Sequence, residues 1–332
     1  MSNESFIGLV DTVRKDIWRY AKLLDAVTLD SQIKCKQADF TPIEGMGDSA
    51  LWLKREDQSI TGSHKFRSLQ YQLSRLLDTG TEKAVLSSSG NAAISASKLL
   101  PKNANLKLFV FLSKKTPVGK LAALEFSENF IPILSDRPLR MAKYAIKHFG
   151  LKDLRPSQDS HAVIGFRSLG FEIFEQKAEI ENIFSFATSF ASIRGIAEAY
   201  QALKDLGAIE KLPRIFAVNA TGKLAGELSR QANLSSGQKE LSTGQRACLP
   251  AGRWTPVDIS DEEILAAKNK YPQLQTSLEG IASLAAAEKT KAKGESLIVL
   301  TGRNWEGEKV DFEKFEIADN FAEVDKITAR YK

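Results

Sequence analysis

Short apolar runs alternate along this chain with longer stretches in which apolar residues recur every three or four positions. The short runs have the length and make-up of buried strands, and the longer ones have the period of helices with one apolar face. Leu51–Lys54 predicts a strand, followed by a helix from about Lys65 to Leu77. Ala84–Ser87 is a strand, with a helix over Asn91–Leu100; Leu106–Leu112 is the next, with a helix over Val118–Phe126. Phe130–Leu134 leads into a helix over Pro138–Phe149. The pattern continues with a helix near Ser168–Ala178, a strand at Ile183–Ala187, a helix over Ile193–Leu206 and a strand at Ile215–Asn219. Leu297–Leu300 reads as the last strand. Strands alternating with helices imply parallel sheets covered on both faces, so the expected fold class is α/β.

One segment breaks the pattern. Residues 235–254 (SSGQKELSTGQRACLPAGRW) are rich in Gly, Ser and Gln and lack an apolar period, which predicts an exposed surface insertion. The helical pattern returns at Ser260, an N-cap with Glu263 at the capping-box position.

Composition narrows the function. The 332 residues suffice for two packed lobes, and 43% hydrophobic with 26% charged residues is ordinary for a soluble protein. The net charge of +5 is spread out rather than gathered into a basic stripe with aromatics, so nucleic acid is not expected as a partner. Cys35 and Cys248 stand far apart, and His64, His148 and His161 form no H-x-x-x-H pair, so neither a disulfide framework nor a metal site is expected. The N-terminus has no signal-peptide pattern and no apolar run approaches a membrane span, which makes the cytoplasm the expected location.

Two stretches carry candidate chemistry. In Thr61-Gly62-Ser63-His64-Lys65-Phe66-Arg67 a lysine stands where a helix begins. A helix N-terminus disfavours positive charge, which helps a lysine act as a neutral amine. Taken alone, that lysine is better read as a surface residue at a helix start. Ser87-Ser88-Ser89-Gly90-Asn91-Ala92-Ala93 lies between a strand and a helix, where free N–H groups bind anions and where Ser and Asn also serve as plain caps.

Together the stretches are more specific. "LKREDQSITGSHKFR" resembles the lysine signature of fold-type II pyridoxal-phosphate (PLP) enzymes, the tryptophan synthase β-like superfamily, and "SSGNAA" resembles their asparagine loop. The resemblance continues through "GFRSLGFEIFEQ", "ISDEEILAA", "SLEGIASLAAAEK" and "LIVLTGR". It implies two α/β lobes with the cofactor in the cleft between them: a large lobe of residues 1–59 and 150–332, and a small lobe of 60–149. It implies that Lys65 carries pyridoxal 5'-phosphate as an imine and moves protons at the substrate Cα. Asn91 is then the partner of the phenolic oxygen, and Ser88, Ser89 and Gly90 grip the substrate carboxylate. His64 faces the cofactor phosphate, and Thr301 meets the pyridine nitrogen. A neutral hydroxyl there suits elimination and replacement better than transamination.

There are two departures from the family pattern. The phosphate cradle is glycine-rich in the family, whereas the equivalent segment here is Thr188-Ser189-Phe190-Ala191-Ser192, with hydroxyls and a phenylalanine. Phe66 stands where many members have Asp. Within the family the motifs lean toward threonine synthase, an enzyme of amino-acid biosynthesis that turns O-phosphohomoserine into threonine and phosphate. Lys120 and Arg67 are candidates to hold a phosphate-bearing substrate. A serine/threonine dehydratase is the alternative, and a non-catalytic paralogue with an impaired phosphate turn is a third reading. The expected partners are a small amino-acid substrate and, as in the family, a second copy in a homodimer, with no membrane.

Overall fold

A computed structural model describes residues 4–35, 40–47, 50–88, 90–222, 224, 254–307 and 309–331. The chain opens with a short helix α1 (Glu4–Ile7) and then forms β1 (Ile43–Gly45), β2 (Leu51–Lys54), α2 (Lys65–Asp78), β3 (Lys83–Ser88), α3 (Asn91–Leu99) and β4 (Lys107–Ser113). It goes on through α4 (Val118–Ala122), β5 (Phe130–Ser135), α5 (Pro138–Phe149), β6 (Lys152–Asp153), α6 (His161–Gln176), β7 (Asn182–Phe186), α7 (Ala191–Asp205) and β8 (Arg214–Ala220). After the break come β9 (Trp254–Ile259), α8 (Asp261–Lys270), α9 (Leu278–Thr290), β10 (Ser296–Val299), β11 (Glu316–Ile317) and α10 (Phe321–Arg330).

The strands form two sheets, a six-stranded one in the order β1-β2-β10-β7-β8-β9 and a five-stranded one in the order β11-β5-β4-β3-β6. Every pairing is parallel except β1 with β2. The fold class is thus the α/β arrangement of two mostly parallel sheets. The interval 60–149 supplies only three strands of the smaller sheet. Its edges are completed from outside by β6 and β11, and Val324 and Ile327 of α10 share a core with Met141 and Ala145 of α5.

Register positions the site. Lys54 pairs with Val299, so the chain leaves β2 for the lysine loop beside the point where it leaves β10 for Thr301. The turn after β7 and the loop after β3 also leave from trailing strand ends, which is where open parallel sheets place ligands. Helix α6 is wedged between α2 and α7 by glycines. A Cβ on Gly165 would lie 2.4 Å from the Arg67 carbonyl oxygen, and one on Gly195 would lie 2.5 Å from Cβ of Phe166.

Several expectations are corrected. Helix α6 begins at His161, not near Ser168, because its first turns are buried on every face and show no apolar stripe. Helix α4 ends at Ala122 rather than Phe126, whose ring instead packs edge-on against Phe315 at 5.4 Å. Leu297–Leu300 is not the last strand, since β11 follows. The insertion at 235–254 lies outside the described residues except for Trp254, which begins a strand rather than belonging to a surface excursion. The capping box at Ser260 and Glu263 is present as expected.

Candidate active site

Lys65 is the first residue of α2, and Gly62, with φ +67°, makes the turn that delivers the chain to it. Among the described residues its amine has no hydrogen-bond acceptor; it lies 5.7 Å from the centre of the Phe166 ring. Burial pushes the amine down to about 8, and the Glu279 carboxylate works in the opposite direction. Desolvation is the larger of these two influences.

His64 is fixed beside it. Its backbone N–H and its ring Nδ1–H both donate to the carbonyl of Thr301, at 3.0 and 2.7 Å. Burial, together with the neighbouring Lys65 cation, lowers the imidazole to about 3, so the ring is neutral. A carbonyl only accepts, so Nδ1 carries the hydrogen and Nε2 is left as an acceptor. A neutral ring in this tautomer has no free N–H to offer an anion.

Thr301 and Gly302 form the hub of the site. Ser63 bridges to Gly302, the Ser277 N–H donates to the Gly302 carbonyl at 2.7 Å, and the Arg303 N–H donates to that of Gly62 at 2.7 Å. The amide nitrogen of Asn91 is 2.8 Å from where a Cβ on Gly302 would stand, so only glycine leaves room for it there. The Asn91 carboxamide oxygen and the Ser277 hydroxyl are buried without partners among the described residues. Such groups are rare unless something else completes them.

The asparagine loop is shaped by Ser88, whose hydroxyl accepts from the N–H groups of Gly90 at 3.0 Å and Ala93 at 3.2 Å. Gly90 has φ +130°, and a Cβ there would lie 2.5 Å from the Lys120 side chain, so the lysine stem is laid across the loop. Ser89 lies outside the described residues. Trp305 closes over the other side, packed on Gly62 with its indole N–H buried and without a partner among the described residues.

The turn after β7 reaches this cluster through Phe166, which packs with Ala191 and lies 5.2 Å from the His64 ring. Thr188 and Ser189 are half-buried and Ser192 is buried at the start of α7. Phe190 has φ +60°, the left-handed conformation that a glycine would take freely. Its ring does not obstruct the turn. It is buried and packs 5.0 Å from Trp254.

Arg67 is corrected. It is 1% exposed, bonded twice to Glu56 at 2.8 Å and once to Glu172 at 2.9 Å, and so cannot meet a substrate. Phe66, the second departure from the family pattern, is a core residue. Phe166, Glu279 and Trp305 escaped the sequence reading. Each belongs to a stretch resembling the family or next to one, but nothing in their spacing marks them.

An amine whose charge is disfavoured by burial, a carboxamide, a hydroxyl and a turn at a helix start are a set of groups that fits pyridoxal phosphate. Residues 37–302 match the family model described as pyridoxal-phosphate dependent enzyme. The chain belongs to this family, and its cofactor is pyridoxal 5'-phosphate. It is 24% identical over 291 residues to the threonine synthase of Methanosarcina acetivorans, covering 78% of this chain and 70% of that one. It is 22% identical over 289 residues to the threonine dehydratase of Nicotiana attenuata, of which the match covers 47%, against 82% of this chain. Among solved structures, maize serine racemase superposes with a TM-score of 0.62 at 17% identity, over 80% of this chain and 88% of that one. No helix among the described residues is long and apolar enough to cross a membrane.

Proposed function

We propose that the protein is a threonine synthase-like lyase that releases phosphate from O-phosphohomoserine. The observation that carries this is Lys120. It lies across Gly90 and has no acidic partner among the described residues, so it brings an uncompensated cation to the loop read as the carboxylate grip. A substrate with a phosphate beyond its carboxylate matches such a cation. The threonine synthases among the relatives point the same way.

When bound, pyridoxal phosphate supplies an electron-withdrawing ring that acidifies the substrate Cα–H. The protein supplies the rest. Lys65 carries the cofactor and its Nζ takes the Cα proton, a role for which an amine near neutrality is suited. Ser88, Ser89 and Gly90 hold the substrate carboxylate, and Asn91 and Thr301 orient the ring through its phenolic oxygen and its nitrogen. N–H groups and hydroxyls of Thr188, Ser189, Ala191 and Ser192 hold the cofactor phosphate. Phe166 and Trp305 exclude water on either side.

The second reading, a serine/threonine dehydratase, uses the same proton transfer and has support from the tobacco relative. Phosphate release from O-phosphohomoserine and ammonia release from threonine and serine separate the two. Lys120→Ala should raise KM for O-phosphohomoserine about tenfold or more and leave any dehydratase KM unchanged. Ammonia release without phosphate release would refute the first reading.

A further inference from the structure

After Thr301 the chain crosses from the larger sheet to the smaller one, and on the way it meets helix α4. A Cβ on Gly119 of α4 would lie 2.3 Å from the Trp305 carbonyl oxygen, and one on Gly307 would lie 3.0 Å from Cα of Gly119. The two backbones are therefore in contact, which these facing glycines allow. Three cations gather around this crossing. Lys120 follows Gly119 and lays its stem across Gly90. The Lys98 amine of α3 lies 5.7 Å from the centre of the Trp305 ring, and the Arg303 guanidinium lies 5.4 Å from it. None of the three has an acidic partner among the described residues. Lys98 donates to the Ile60 carbonyl at 3.5 Å and Arg303 to the Asp57 carbonyl at 3.3 Å, so these two meet only neutral oxygens and the ring.

The carboxylates close by do not pair with them. Asp57 is bonded twice to Arg55, at 3.1 and 3.0 Å. Glu279 acts on Lys65. Glu306, next to Trp305, is exposed and forms no ion pair among the described residues. Repulsion among like charges opposes such a gathering, and the aromatic ring offsets part of it. Arg303 is exposed and the two lysines are half-buried, so the cluster spans from solvent to the loop at Gly90. Partial burial strengthens the field of the lysines beyond that of fully solvated amines.

We infer that Lys98 and Arg303 form, with Lys120, a collecting site for a doubly charged phosphate group on its way to Lys65. The inference rests on the reading of the substrate as a phosphate ester. A phosphate monoester carries a charge of about −1.5 to −2 near neutral pH, whereas serine and threonine carry no net charge. Cations without acidic partners therefore favour the phosphate-bearing substrate before any contact with Lys65 is made. Lys98 and Arg303 are positioning residues in this scheme. The contact of Gly119 with the 305–307 segment sets Lys120 relative to the other two, which stand on separate elements.

Titration of the protein loaded with pyridoxal phosphate, using inorganic phosphate as the probe, tests the cluster without turnover. Trp305 is the reporter: phosphate should change the indole emission, and the change should vanish in Trp305→Phe. Lys98→Gln together with Arg303→Gln should weaken phosphate binding about tenfold. Lys98→Arg together with Arg303→Lys keeps both charges and should restore most of the affinity. No response at Trp305, an unchanged affinity in the Gln pair, or equal losses in both pairs overturns the proposal. With O-phosphohomoserine, kcat/KM of the intact protein should fall about tenfold between ~20 and ~200 mM salt. The Gln pair should flatten that dependence, with the loss in KM rather than kcat, and an unaltered slope also overturns the proposal. Phosphate binding at Trp305 without turnover of O-phosphohomoserine would refute the substrate reading and leave the cluster standing, so the two failures are distinguishable.

Discussion

Lys54 and Lys65 stand eleven residues apart, one at the end of β2 and the other at the start of α2, and the fold treats them in opposite ways. Lys54 is fully buried and fully bonded: to Glu172 at 2.6 Å, to the Thr41 carbonyl at 2.6 Å and to Gln176 at 2.8 Å. Arg67, Glu56 and Glu172 complete a buried quartet of two cations and two anions. Lys65 has no such company: its neighbours are an aromatic ring and a carboxylate that makes no hydrogen bond to it. Burial lowers both amines, but at Lys54 two carboxylates oppose it and at Lys65 one does. The fold compensates one buried cation thoroughly and leaves the other with a single opposing carboxylate. The quartet also joins β2, α2 and α6, and so fixes the helix whose first residue is Lys65.

The largest effect is expected from breaking the compensated side. Glu172→Gln leaves two buried cations against one carboxylate and should cost about 3–5 kcal/mol in denaturant unfolding. Arg67 and Lys54 hold the Glu172 carboxylate down at about 2 against the opposing effect of burial, below its ordinary 4.5. A lowered carboxylate contributes stability that is present above 4.5 and lost as pH falls toward 2, so the intact protein should weaken across that window. His64 adds to the same loss from 6.5 downward, because the unfolded ring takes a proton that the folded ring refuses until about 3. Glu172→Gln should flatten the lower part of the curve. An unchanged curve would mean that the quartet is not a charge network.

An intermediate effect is expected at the 188–192 turn, the other place where the fold departs from an easy arrangement. Phe190→Gly relieves a left-handed φ but removes a ring buried against Trp254. Losing a buried Phe side chain costs about 3–5 kcal/mol, and the relief returns about 1–2, so the net loss should be about 2 kcal/mol. Equal or higher stability in thermal unfolding would show that the ring contributes no packing.

The sequence made the two-sheet α/β fold and most of its strands legible, because buried parallel strands are short apolar runs with little ambiguity. It showed Lys65 and Asn91 as helix-start residues, since turn and cap chemistry is local. It missed the beginning of α6, where burial on all sides removes the stripe that marks a helix. It misread Arg67 as a candidate to hold a phosphate-bearing substrate, because ion pairing with Glu56 and Glu172 depends on which elements cross. Phe166 became visible only once Gly165 brought α6 against α2. The positive φ of Phe190 was hidden because nothing about a phenylalanine announces a conformation that glycine ordinarily takes.

The smallest effect on stability is expected at Lys65 itself, and it sharpens the comparison most. Lys65→Met keeps the length and apolar stem of the side chain and removes an amine that no hydrogen bond secures. Replacing a poorly compensated buried charge with an apolar residue of similar volume is neutral or stabilising, so unfolding free energy should stay level or rise by about 1 kcal/mol. The intact protein should gain stability as pH rises from about 8 toward 10.5, where the unfolded lysine is still protonated and the folded one is not. Lys65→Met should lose that gain. The chemistry should respond in the opposite way. Borohydride reduction of the intact protein with pyridoxal phosphate should place a pyridoxyl adduct on Lys65, with a trapping rate that rises through a midpoint near about 8, and Lys65→Met should form none. A loss of several kcal/mol in Lys65→Met would make Lys65 a structural cation like Lys54. An adduct that persists would move the cofactor's attachment elsewhere.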